Sequence, residues 1–137
     1  MPATTTLTAP AAQAAGPRLR RRLLELRALL AAAARAVPQD ARSPEVVDFK
    51  DLAAEDLRVR VDEVACAHAV GEIGQVLAAL RRVADGSYGA CEDCGEPIAE
   101  RRLQALPATP FCTACQALHE REREARRRHP QARAASP

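Results

Sequence analysis

Two Cys-x-x-Cys pairs, Cys91/Cys94 and Cys112/Cys115, stand 17 residues apart and constrain this chain more than any other feature. A two-residue gap lets both sulfurs of a pair turn toward one point. Two such turns supply four thiolates in a tetrahedral array about 2.3 Å from a zinc ion. Gly95, just after the first pair, relaxes the backbone so that N–H groups can point at sulfur. A complete sulfur set leaves no open position for water or substrate, so the expected Zn2+ is single and structural. Its apparent folding contribution is on the order of 10 kcal/mol. This chain needs such help: alanine supplies about half of the 47% apolar content and aromatic residues are 2%. Disulfides fit poorly, because five cysteines leave one over. His119 follows Cys115 by four residues and is read as a surface helical histidine rather than a replacement ligand.

Upstream of the cysteines the apolar pattern is helical. Leu19, Leu23, Leu26, Leu30, Ala33 and Val37 step by 4, 3, 4, 3, 4, with arginines on the other faces, and Pro38 ends the run. A second seam, Cys66, Val70, Ile73, Leu77, Leu80 and Ala84, has the same rhythm. It lies on a helix expected from Asp48–Leu52 to about Ala84. Two seams joined by a loop predict a mainly α protein built on an antiparallel coiled-coil helical hairpin over 18–85. A small four-cysteine zinc-finger module over 86–118 and a C-terminal helix over 113–129 complete it. The arms are expected to be unequal, about 20 and 33 residues. Cys66 falls on the seam and reads as a small buried apolar residue. Residues 1–17 are Ala/Thr/Pro-rich and are expected to be a disordered tail, with Pro17 opening the first helix. Residues 130–137 are expected to fray.

Charge is distributed unevenly although the net is only +2. Residues 18–35 carry six Arg and one Glu, whereas residues 40–63 carry eight acids and four bases. Helix capping explains one or two carboxylates near residue 48. It does not explain Glu45, Asp48, Asp51, Glu55 and Asp56 together. The acidic tip is therefore expected near 38–53, at the end of the hairpin remote from the cysteines. Residues 20–36 superficially resemble a targeting signal, but Glu25 and Arg27 interrupt the apolar run. No stretch is expected to approach the roughly 20 apolar residues of a membrane span. The chain reads as a cytoplasmic monomer with no membrane partner.

The segments "YGACEDCG", "RRLQALP" and "CTACQ" resemble the zinc finger of the DksA/TraR family of bacterial transcription regulators. Long-hairpin members carry Asp-x-x-Asp-x-Ala at the tip, and Asp48, Asp51 and Ala53 reproduce it here at the matching distance from Cys91. The resemblance covers about residues 45–120. It implies a non-enzymatic protein that docks on bacterial RNA polymerase without binding DNA. The hairpin would enter the secondary channel and bring Asp48, Asp51 and Ala53 near the active centre, altering open-complex stability and initiation. Arg101 and Arg102 would contact the polymerase rim. Members that bind guanosine tetraphosphate carry basic side chains where this chain has Gln75, Leu106 and Gln116, so a weak alarmone response is expected.

Two other classes compete. A DNA-binding zinc-finger protein would use the Arg-rich helix 121–128, but Glu120, Glu122 and Glu124 dilute its phosphate footprint. A thiol oxidoreductase or redox-sensing chaperone would need reversible disulfides in place of a metal. No Gly-rich phosphate loop and no nucleophile–base constellation supports an enzyme.

Overall fold

The computed structural model describes residues 9–36 and 49–129. Four helices follow one another: α1 (Ala9–Arg35), α2 (Phe49–Asp85), α3 (Glu100–Ala105) and α4 (Thr113–Arg128). Among the described residues there is no strand, only one isolated antiparallel bridge between Ala90 and Pro97. Among the described residues, helices α1 and α2 are the one pair that packs extensively, as an antiparallel hairpin. The expected mainly α architecture is the one observed.

Helix α1 starts eight residues before Pro17, which corrects the expectation of a disordered 1–17. Residues 1–8 lie outside the described part of the chain. Proline inside a helix removes one N–H and strains the preceding turn. Packing opposes that cost. Ala15 is buried, Ala12 packs on the core, and a Cβ at Gly16 would already touch Val83 Cγ1 at 3.8 Å. Small residues thus let the first two turns lie close against the end of α2. Composition alone reads the same alanines as a featureless tail.

The α1 seam is the expected one as far as it is described: Leu19, Leu23 and Leu26 are buried, and Leu30 and Ala33 are half-buried. Val37 and Pro38 fall outside the described residues. The α2 seam is corrected. Val70 and Leu77 are exposed, while Ala69, Val76 and Ala79 are buried. The working register is Cys66, Ala69, Ile73, Val76, Leu80 and Val83, with Cys66 only half-buried. Both series have the helical period, and Cys66, Ile73 and Leu80 belong to both. The alanines decide, because their short side chains let the arms approach more closely than Val70 or Leu77 would allow. Arg22 pins this register across the arms. Its Nε donates to Glu72 Oε1 at 2.6 Å and its Nη2 to Oε2 at 2.9 Å. That hydrogen bonding holds the Glu72 carboxyl below its ordinary range. Both side chains are well exposed, so the pair contributes under about 1 kcal/mol and acts on register more than stability.

The arms have 27 and 37 residues, longer than expected but still unequal. One eighteen-residue window within Ala53–Asp85 reaches a mean hydropathy of 1.2, long and apolar enough by composition to cross a bilayer. This overturns the expectation that no stretch would come near that level. Alanine raises the average, while the face carrying Ala69, Val76 and Ala79 is covered by α1 and Glu72 is ion-paired.

The hairpin base and the cysteine module share one core. Leu19, Val76 and Ala79 cluster with Tyr88, Cys91, Ile98 and Leu103. Arg82 is the polar rivet between them, 7% exposed at the end of α2. It donates to the carbonyls of Thr109 (3.3 Å) and Ala108 (3.2 Å), and its Nε lies 3.3 Å from Glu92 Oε1. Arg18 adds a second tie, donating to the Gln104 carbonyl at 2.7 Å. Replacing Arg82 by Ala strands two carbonyls in a partly dry site while Glu92 rehydrates. The expected loss is about 2–3 kcal/mol in chemical denaturation of the zinc-loaded protein, and a change under about 0.5 kcal/mol contradicts the rivet.

Candidate metal centre and the surfaces around it

The end of α2 turns directly into the first cysteine knuckle. The Tyr88 N–H donates to Arg82 O at 3.0 Å, and the Ile98 N–H to Gly89 O at 2.7 Å. Between these, Cys91 N–H donates to Glu96 O and Gly95 N–H to Cys91 O, both at 2.9 Å. Gly95 has φ +74°, a left-handed conformation that a side chain would strain. The second knuckle opens α4, with Cys112 as its N-cap accepting from Cys115 N–H. The Glu92 N–H donates to Pro110 O at 2.9 Å and sets one knuckle against the other.

This scaffold gathers the sulfurs of Cys91, Cys94, Cys112 and Cys115 within 4.8 Å of one another. Cys94 and Cys112 Sγ are 3.9 Å apart. Zn–S bonds of about 2.3 Å in a tetrahedron require sulfur separations of about 3.8 Å. The donor set therefore fits zinc by number, chemistry and spacing. Burial pushes the Cys91 thiol up, but donation from the Cys94, Cys112 and Asp93 N–H groups outweighs it and brings the thiol down to about 6. Cys115 is raised, chiefly by its hydrogen bond with Cys112 and then by burial. Neighbouring thiols thus resist simultaneous ionisation unless a cation joins them. The protein holds one structural zinc, and its four sulfurs close the coordination shell.

His119 is more than the surface residue expected from sequence. Its Nε2 lies 2.6 Å from Asp93 Oδ2, and its ring sits 4.3 Å from that of Phe111, tilted by 30°. It staples α4 to the first knuckle, outside the cluster of sulfurs. The i,i+4 spacing after Cys115 is visible in the sequence, but its partner Asp93 is 26 residues away. Beyond His119, α4 has no buried residue, and Glu122 lies 3.9 Å from Arg126. The acids and bases of 120–128 are interleaved on an exposed helix.

The other candidate residues are dispersed. Asp48 lies outside the described residues, Asp51 lies in the first turn of α2, and Ala53 is exposed at the same end. Arg101 is exposed on α3. Arg102 is half-buried and turned inward, donating from Nε to the Phe111 carbonyl at 3.1 Å. Beside that shared core, an open groove of about 1110 Å³ is lined by both the hairpin and the zinc module, and Gln75, Leu106 and Gln116 all line it. Three positions far apart in sequence thus share one surface.

Tyr88 is the sole tyrosine and the chain has no tryptophan, so it reports directly on this module. The ring is buried and its hydroxyl donates to Pro107 O at 2.8 Å. Burial raises its ionisation above the ordinary value near 10. A phenol raised in the fold stabilises it fully below about pH 10, and that contribution is lost as pH climbs through the folded value. Chelation of the metal is expected to return phenolate formation, followed at 295 nm, to about pH 10. Cys112→Ser is expected to do the same, with loss of one zinc per chain by elemental analysis. A raised Tyr88 value that survives metal removal contradicts the structural role of zinc.

Comparison with known proteins agrees with this geometry. Residues 86–121 match the model of the prokaryotic dksA/traR C4-type zinc finger. The RNA polymerase-binding transcription factor DksA of Caulobacter vibrioides is 47% identical over 55 residues, 40% of this chain and 39% of that protein. The chain thus matches about two-fifths of the length of that curated relative. Transcription factor DksA2 from Pseudomonas aeruginosa superposes with TM-score 0.70 at 23% identity, over 90% of this chain and 94% of the other. DnaK suppressor protein from Agrobacterium tumefaciens gives TM-score 0.51 at 34% identity, over 77% of this chain and 91% of its own. With a zinc-finger match anchored on four clustered cysteines and a relative matched over nearly its full length, the chain belongs to the DksA/TraR family.

Proposed function

We propose that this protein is a non-enzymatic transcription regulator that docks on bacterial RNA polymerase in the cytoplasm. Its hairpin enters the secondary channel, carrying the acidic end of α2 toward the active centre. The observation that carries the reading is the long hairpin rooted in a family zinc module. Curated relatives of this chain bear the name RNA polymerase-binding transcription factor. Helix α2 has 37 residues, roughly 55 Å of stiff rod at 1.5 Å per residue. Such a rod can span a channel and leave its base outside.

In this reading Asp48 and Asp51 meet catalytic-centre cations or basic polymerase side chains, and Ala53 allows close approach. The same carboxylates repel template phosphates, so the tip acts on the enzyme and not by reading DNA. The zinc module and Arg101 face the rim of the channel. Arg102 contributes mainly by holding Phe111 and Thr109 in place, since its guanidinium already points at them. Gln75, Leu106 and Gln116 put amide and apolar groups where alarmone-binding relatives carry cations, and of the five arginines lining the groove Arg18, Arg22 and Arg102 are already engaged in internal contacts, which predicts a weak response to guanosine tetraphosphate.

Purified polymerase is expected to retain this protein in a pull-down. The Asp48→Asn/Asp51→Asn variant is expected to bind within about threefold of wild type and lose its effect on open-complex lifetime. Unchanged lifetime control in that variant removes the tip from the mechanism, and failure to bind polymerase removes the whole reading. Adding guanosine tetraphosphate is expected to change open-complex lifetime by less than about twofold in the presence of this protein.

A further inference from the structure

Helix α2 carries two glycines, Gly71 and Gly74, in the middle of its 37 residues. Glycine is the poorest helix former after proline, because its backbone loses the most freedom. A packing reason normally accounts for it at such a site. None exists here: a Cβ built on either residue meets nothing within 4 Å. Neither is among the glycines with positive φ, so no unusual backbone conformation demands glycine either. A substitution to alanine is free in space and favourable to the helix.

Their location is the second observation. Toward the base, Val76 is 1% and Ala79 0% exposed, locked in the core shared with the zinc module. Between the glycines sits Glu72, held by Arg22 of α1. Toward the tip, Ala69 is the last buried residue, and every side chain from Ala53 to Ala65 is exposed. The glycines therefore straddle a pinned point between a clamped half and a thinly supported half. Glycine in a helix is also one of the identifiable causes of bending.

We propose that Gly71 and Gly74 form a pivot in α2, about which the tip-bearing half moves relative to α1 and the zinc-clamped base. Ala53 lies 18 residues beyond Gly71, about 27 Å along the helix, so a bend of about 10° displaces it by about 5 Å. A shift of that size separates a hydrogen-bonded contact from none. The base can then stay seated while the acidic end adjusts its aim. Glu72, paired with Arg22, lies between the two glycines and marks the centre of motion.

Amide hydrogen exchange on the zinc-loaded full chain tests the pivot without any partner. Protection factors at amides 72–76 are expected to form a local minimum, about tenfold below both 66–70 and 77–82. In Gly71→Ala/Gly74→Ala that minimum is expected to fill, with a rise of about 3–8 °C in melting midpoint. Protection that declines smoothly from base to tip in the wild type overturns the proposal, and so does an exchange profile unchanged in the variant. The wild-type profile alone decides between pivot and uniform rod if the double variant proves hard to produce. Failure of polymerase binding, measured separately by the pull-down, bears on the functional reading and leaves the exchange result standing.

Discussion

Everything in this fold depends on four sulfurs being brought to one point. The two knuckles are short loops with an isolated bridge, and α3 has six residues. Nothing in them forms a stable structure alone. Once their thiolates share a cation, the loop 86–111 becomes a rigid block whose inner face presents Tyr88, Ile98 and Leu103 to the hairpin. The hairpin in turn buries mostly alanine and leucine, a thin seam that gains support from this block at its base. The metal supplies what a conventional aromatic core would supply in a larger domain.

Polar ties then convert that block into a base of defined orientation. Arg82 reaches from the last turn of α2 to two carbonyls and a carboxylate of the module, and Arg18 reaches from α1 to the Gln104 carbonyl. His119 ties α4 to Asp93. Each joins elements that no apolar contact could orient so specifically, because hydrogen bonds are directional and burial is not. Farther along the hairpin these ties thin out. Arg22–Glu72 is the last cross-arm ion pair among the described residues. The molecule thus grades from a clamped base to a lightly held lever.

The family and the zinc site are legible in the sequence because both are written locally. Cys-x-x-Cys spacing determines which way two sulfurs point, and no distant residue is needed to read it. The α1 seam is legible for a similar reason: leucines at 19, 23, 26 and 30 outweigh every competing face. The α2 seam misleads because two adjacent faces have the same period, and only the partner helix selects between Val70/Leu77 and Ala69/Val76. Burial of small residues leaves little trace in composition. The same blindness makes the first turns of α1 look like a tail. Arg82 and His119 are unreadable as ties, since their partners lie 27 and 26 residues away.

The amino-acid sequence by itself therefore determined a helical hairpin, a closed four-sulfur centre and a carboxylate-rich stretch around the start of the second arm. Each rests on residues within a few turns of one another. Tertiary structure alone decided which face of α2 meets α1, how far α1 extends beyond its proline, and which arginines are consumed as internal ties. It also gathered Gln75, Leu106 and Gln116 into one groove. Those outcomes depend on how closely two helices approach and on carbonyls that face one another only after folding. No one-dimensional pattern encodes such distances.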